Sequence, residues 1–164
     1  MEQKIYTLND GRKIQIRALE PEDGKRLADF YGSMSEDSLM WIQVPSQREI
    51  DEKLRYPDYY ISLVTLYDDH VAGYGEILKD PQKRDGELNI HIHQDYQGVG
   101  LGTAMMIMLL KEATDEHLHS INLHVAAENM KAVQLFIKFG FQEQKTKGSI
   151  EQKDIIHMIK KLQR

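Results

Sequence analysis

The feature that most constrains this chain is Gln97-Gly98-Val99-Gly100-Leu101-Gly102, where glycines alternate between an apolar run ending at His93 and a denser one from Leu101 to Ala113. A strand that runs through such a turn into a helix aims unpaired main-chain N–H groups, and the positive end of the helix dipole, at one point in space. Phosphate binds there. Gly98, Gly100 and Gly102 permit positive φ and carry no Cβ to hold an anion off the main chain. The dinucleotide fingerprint needs two residues between its second and third glycines, and the nucleoside-triphosphate loop ends in Gly-Lys-Ser/Thr. Neither pattern fits, and a purely structural strand–helix turn is the alternative that the loop alone leaves open.

Around this loop the chain alternates short strands and helices. Residues 4 to 8 and 12 to 19 flank Asn9-Asp10-Gly11 and read as a small hairpin or as a strand with its lead-in. Pro21 opens a helix whose apolar residues Leu27, Phe30, Tyr31 and Met34 recur at helical spacing. Ser46-Gln47-Arg48-Glu49 is a capping box and predicts a second helix from Gln47 to Arg55. Strands are expected over Tyr59 to Tyr67, Val71 to Leu78 and Glu87 to His93. The last alternates strictly, with Leu88, Ile90 and Ile92 on one face and Glu87, Asn89, His91 and His93 on the other. Beyond the loop helix come a strand at Ile121 to Val125, a helix at Glu128 to Phe139 stopped by Gly140, and closing strands at Phe141 to Lys145 and Asp154 to Ile159. This order predicts one α/β domain over residues 1–164, with a mixed sheet and helices on both faces.

Composition narrows the function classes. A net charge of -5 argues against a nucleic-acid footprint, which would show as a basic patch. The absence of Cys excludes disulfides, thiolate metal sites and a Cys nucleophile, and agrees with a cytoplasmic location. The longest apolar run, Ala104 to Leu110, is far short of the ~20 residues that cross a bilayer. No secretory signal pattern opens the sequence, and monomer or homodimer both stay open.

At the glycine loop the chain resembles the GNAT superfamily of acetyl-CoA-dependent N-acyltransferases. The superfamily's Arg/Gln-x-x-Gly-x-Gly/Ala motif is met by Gln97, Gly100 and Gly102. Ile16 to Asp23 is similar to its first strand and helix entry, and Val71-Ala72-Gly73 and Glu87 to Tyr96 to two of its central strands. Asn129, Ala132, Leu135, Gly140 and Phe141 are similar to its late Asn-x-x-Ala helix ending in Gly-Phe. The resemblance implies a mostly antiparallel sheet of six to seven strands, splayed at its centre to take acetyl-CoA as co-substrate. It implies cofactor contacts from His91, Ile92 and His93, from Gln97, Gly98, Val99, Gly100, Leu101, Gly102 and Thr103, and from Asn129 and Phe136. The N–H of Ile92 would hold the thioester oxygen as it becomes an oxyanion. No resident metal is implied.

An amine substrate arrives protonated, since a lysine-like ammonium keeps its proton up to about pH 10.4, so the reaction needs a base. Glu87 is the first candidate and Glu76 the second, with His91 and His93 as a possible relay on the same face. His117, His119 and His124 read as structural. Relatives that protonate the departing thiolate use a tyrosine where this chain has Phe136, leaving water or Tyr96 and Tyr74 for that role. The acceptor wall is expected between Ser35 and Tyr60. Gly32 to Leu39 and Asp85-Gly86-Glu87 resemble the protein-lysine acetyltransferase branch of the superfamily, which implies a protein lysine as acceptor, with a polyamine, another small amine or an amino acid as the alternatives. A non-catalytic acetyl-CoA sensor is the alternative of another class.

Overall fold

A computed structural model describes residues 1–144 and 154–162. Eight strands form one sheet: β1 (Lys4–Thr7), β2 (Lys13–Ala18), β3 (Tyr60–Tyr67), β4 (His70–Asp80), β5 (Asp85–Ile92), β6 (Ser120–Ala126), β7 (Gln142–Glu143) and β8 (Ile155–Lys161). Their spatial order is β1-β2-β3-β4-β5-β6-β8-β7. Every neighbouring pair is antiparallel except β5 and β6. That exception follows from the connection, since a strand that returns parallel needs a crossover helix. The sheet has more strands than the six to seven that the resemblance implies, because the segments expected at residues 4 to 8 and from Phe141 both pair into it, as β1 and the short β7. Lys145, expected to end that edge strand, lies outside the described residues.

Among the described residues five helices cover the sheet: α1 (Gly24–Gly32), α2 (Glu36–Leu39), α3 (Gln47–Arg55), α4 (Leu101–Asp115) and α5 (Met130–Lys138). A 3-10 turn at Pro21–Asp23 leads into α1. The Ser46 hydroxyl accepts from the Glu49 N–H while Glu49 accepts from the Ser46 N–H, so α3 begins where its capping box predicts. The four-residue α2 was not legible from periodicity. It is started by Ser35, whose hydroxyl accepts from the Ser38 N–H. Among the described residues no helix is long and apolar enough to cross a membrane.

Two cores lie on opposite faces of the sheet. Leu27, Phe30, Tyr31 and Ile50 bring α1 and α3 onto Val64, Val71 and Tyr74 of β3 and β4. On the other face Leu101, Met105, Met106 and Leu109 of α4 pack with Ile77, Leu88, Ile121 and Leu123. The β5–β6 ladder is short: Asp85 faces Ser120, Gly86 faces Ile121, Glu87 faces Asn122, and pairing then stops. From Leu88 onward the two strands part, and a wedge opens towards the glycine loop.

Candidate active site

The loop after β5 leaves the helix end bare. Gly98 and Gly100 take φ of 75° and 92°, in the left-handed region that costs other residues about 1–2 kcal/mol. Gly100 is the N-cap of α4, and no side chain caps it. The Ala104 N–H donates to the Gly100 carbonyl, so the N–H groups before it in the first turn have no intrahelical acceptor. The loop is nevertheless fixed in place. The Asn9 N–H donates to the Val99 carbonyl at 2.9 Å, and Gln97 Nε2 donates to the Ile92 carbonyl at 3.2 Å.

This bare end opens into a cleft of about 800 Å³. On the loop side its wall is built by Gln97, Gly98 and Gly100 to Thr103, facing Asn129 to Ala132 and Gln134 to Phe136 of the α5 region. Asn129 is the N-cap of α5, yet its side chain makes no capping hydrogen bond and is free to meet a ligand. Phe136 is buried edge-on against Phe141, at 5.9 Å between centroids. Lys131 and Lys138, which sequence reasoning passed over, also line the cleft, and Lys138 Nζ donates to Thr103 Oγ1 at 3.3 Å. Their spacing of seven on one helix was the available signal. Backbone donors, a helix dipole and two ammonium groups suit a polyanion such as a pyrophosphate.

Along β5 the main chain alternates its bonding. The His93 N–H donates to the Ala72 carbonyl, and the register places His91 opposite Tyr74. His91 and the residues of its parity before it therefore spend both main-chain groups on β4, the His93 carbonyl accepts from the Tyr96 N–H, and the groups of Ile90 and Ile92 point into the wedge. Of the main-chain contacts expected from His91 to His93, only that of Ile92 faces the opening. His93 is further committed through its ring, for Nδ1 accepts from the Asp95 N–H and Nε2 lies 3.0 Å from Ser33 Oγ and 3.2 Å from the Ser33 carbonyl. It clasps the end of α1 to the strand and, like Val99, does not line the cleft.

The other mouth of the cleft is bounded by His91 with Asp37, Ser38, Trp41 and Ile42 from α2 and the loop after it. His91 Nδ1 lies 2.7 Å from the Tyr31 hydroxyl. Burial, helped by the Lys53 charge, holds the His91 imidazole down at about 4, so it is neutral in neutral solution. Burial and the Glu76 charge push Tyr31 up, so the phenol keeps its proton.

The carboxylates expected to act as base lie apart from one another. Glu76 is buried, and both of its oxygens accept from Lys53 Nζ of α3, at 2.9 and 2.8 Å. Glu87 is half-exposed at the apex of the wedge, with Oε1 3.5 Å from His124 Nδ1. Neither belongs to the cleft wall proper. Of the two reserve hydroxyls, Tyr74 is buried against Ser62 and pushed well above its ordinary value by burial and then by Glu76. Tyr96 lines the cleft beneath the Arg12 guanidinium at 4.3 Å. Burial raises it, against the opposing pull of Arg12.

The sequence model of the acetyltransferase (GNAT) family matches residues 27–141, the segment that holds the wedge, the loop and α5. The chain belongs to the GNAT acetyltransferase family. This GNAT chain is 33% identical over 151 residues to the spermidine N(1)-acetyltransferase of Vibrio cholerae, covering 80% of each. It is 26% identical to a putative ribosomal N-acetyltransferase, YdaF, of Bacillus subtilis, covering 85% of this chain and 84% of that protein. Among solved structures, the GNAT domain of S. lividans PAT has the same fold, with a TM-score of 0.85 over 98% of this chain and 97% of that one at 16% identity. The V. cholerae spermidine N-acetyltransferase, solved with CoA and spermine, gives a TM-score of 0.70 over 90% of this chain and 95% of its own at 24% identity.

Proposed function

We propose that this GNAT protein transfers an acetyl group from acetyl-CoA to a primary amine by direct attack. The observation that carries the reading is the uncapped N-terminus of α4, opening into the wedge between β5 and β6 with Lys131 and Lys138 beside it. Main-chain donors of the loop, the two lysines and Asn129 hold the phosphates and arm of acetyl-CoA. The N–H of Ile92, aimed into the wedge, meets the thioester oxygen as negative charge develops there.

Glu87 takes the proton from the ammonium. The freed nitrogen lone pair bonds to the thioester carbon to give a tetrahedral intermediate, and as it collapses the carbon–sulfur bond breaks to release the thiolate while the nitrogen gives its second proton to water, leaving a neutral amide. Glu87 is preferred to Glu76 because Glu76 is already neutralised by Lys53, while Glu87 stands half-exposed where the strands part. No hydroxyl stands at Phe136 to protonate the sulfur. Thiolates leave readily, and water or Tyr96 supplies the proton.

The acceptor enters from the side of Asp37, Ser38 and Trp41, where a carboxylate and an indole suit an alkylammonium group. A polyamine, as in the V. cholerae relative, and a protein amine both match that chemistry. The test is thiol release from acetyl-CoA across a panel of polyamines, amino acids and lysine-bearing proteins. Turnover with at least one amine is expected, and E87Q should lower kcat by about 100-fold or more at unchanged CoA affinity. Binding of CoA with no thiol release across the panel would instead make the protein an acetyl-CoA sensor, the reading that Phe136 favours.

A further inference from the structure

Three residues far apart in sequence meet on the α1 and α3 side of the sheet, on the strands that those helices leave uncovered. Glu87 is the last residue of β5 paired with β6. His124 lies two residues beyond its partner Asn122, and His157 of β8 stands directly across from His124. The two imidazoles stack, with centroids 4.6 Å apart and planes 11° from parallel. Glu87 Oε1 lies 3.5 Å from His124 Nδ1, and both side chains are about half-exposed and able to close that gap. The only other charged groups sharing this face of β5, β6 and β8 among the described residues are Asp85 and Lys161, at the far end of the ladder where Asp85 faces Ser120 and Ser120 faces Lys161, and the titratable His91 further along β5 is turned to the Tyr31 hydroxyl. Glu76 on β4 is held by Lys53.

We propose that His124 and His157 are positioning residues that act through Glu87, forming a relay that returns the amine's proton to solvent. The proposal rests on the reading that Glu87 is the base. In each turnover the ammonium's proton passes to the Glu87 carboxylate, then from its O–H to the free ring nitrogen of His124. His124 gives the proton to water directly or by way of the adjacent His157, and Glu87 is again a carboxylate. A base that must reset each cycle gains from a neighbour that titrates near neutrality, as histidine does.

The stack disfavours a second proton on the pair, since two imidazolium rings face to face repel each other. His157 already reflects this. Burial first and His124 next hold it below its ordinary value, while Glu87 acts in the opposite sense.

Two measurements test the relay. The first follows the His157 ring resonances against pH by NMR and needs no turnover. H124N should move the His157 titration to higher pH and E87Q should move it lower; no movement in either variant overturns the cluster. The second is steady-state kinetics in weakly basic buffer at low concentration. H124A should lose about tenfold in kcat with KM held, short of the ~100-fold or greater loss on removing the base itself, and added imidazole should restore it. Unchanged turnover, or a loss that imidazole does not repair in a variant with wild-type melting, overturns the relay while leaving the acetyltransferase reading intact. Absence of thiol release from the wild type removes both.

Discussion

At the scale of single residues, Gly100 and His91 carry sharp expectations. Gly100 has φ of 92°, and a Cβ there would come within 3.2 Å of the Asn9 amide, which has to give way. Gly100→Ala should therefore cost about 1–2 kcal/mol of stability from the backbone alone and weaken CoA binding by tilting the first turn of α4. A thermal melt and calorimetric titration with CoA check both. His91 brings a pH dependence. Its folded-state value is held down at about 4, whereas an unfolded chain titrates near 6.5, so between those values the unfolded state binds more protons. The contribution is fully present above about pH 6.5 and is lost as pH falls towards 4. At about 1.4 kcal/mol per unit the loss is on the order of 3 kcal/mol. H91N should flatten that part of a urea-midpoint profile. The glycines of the loop were legible in the sequence because their need is local. The clasp of His93 on Ser33 was not, for it joins residues sixty positions apart.

At the scale of elements, α3 is pinned to β4 by Lys53 and Glu76, whose side chains are 8% and 9% exposed. Two charges withdrawn from water depend on each other, and removing one strands the other at a cost of about 3–5 kcal/mol. Glu76→Ala should therefore lower the melting temperature strongly. E76A combined with Lys53→Met, which removes both charges, should recover much of the loss. Were Glu76 also the base, the double variant would regain its stability without regaining turnover, so melting and kinetics together decide between the roles. The elements themselves read well from sequence, since periodicity, the capping box at Ser46 and the Gly140 stop are local signals. The depth of the wedge did not. Alternation along Glu87 to His93 is the same whether or not the next strand stays paired, and only the short β5–β6 ladder shows that pairing ends at Glu87.

At the scale of the whole molecule, the proposed function asks a chain of net charge -5 to take a polyanion. The overall field opposes that ligand, so local groups must overcome it, and they are gathered on one rim: the α4 N-terminus, Lys131 and Lys138. Screening acts on the two parts differently. Salt weakens the exposed lysines' attraction, with a screening length near 8 Å at physiological ionic strength, while N–H groups in direct contact with the ligand are shielded less. CoA should accordingly raise the melting temperature by mass action, by an amount that falls as salt is added. Lys138→Ala should reduce the shift most at low salt and flatten its salt dependence, because the term removed is the screened one. Thermal melts at several CoA and salt concentrations measure this. A K138A protein whose CoA shift parallels the wild type at every ionic strength would place the phosphates away from Lys138 and leave the α4 dipole and main-chain donors as their holders.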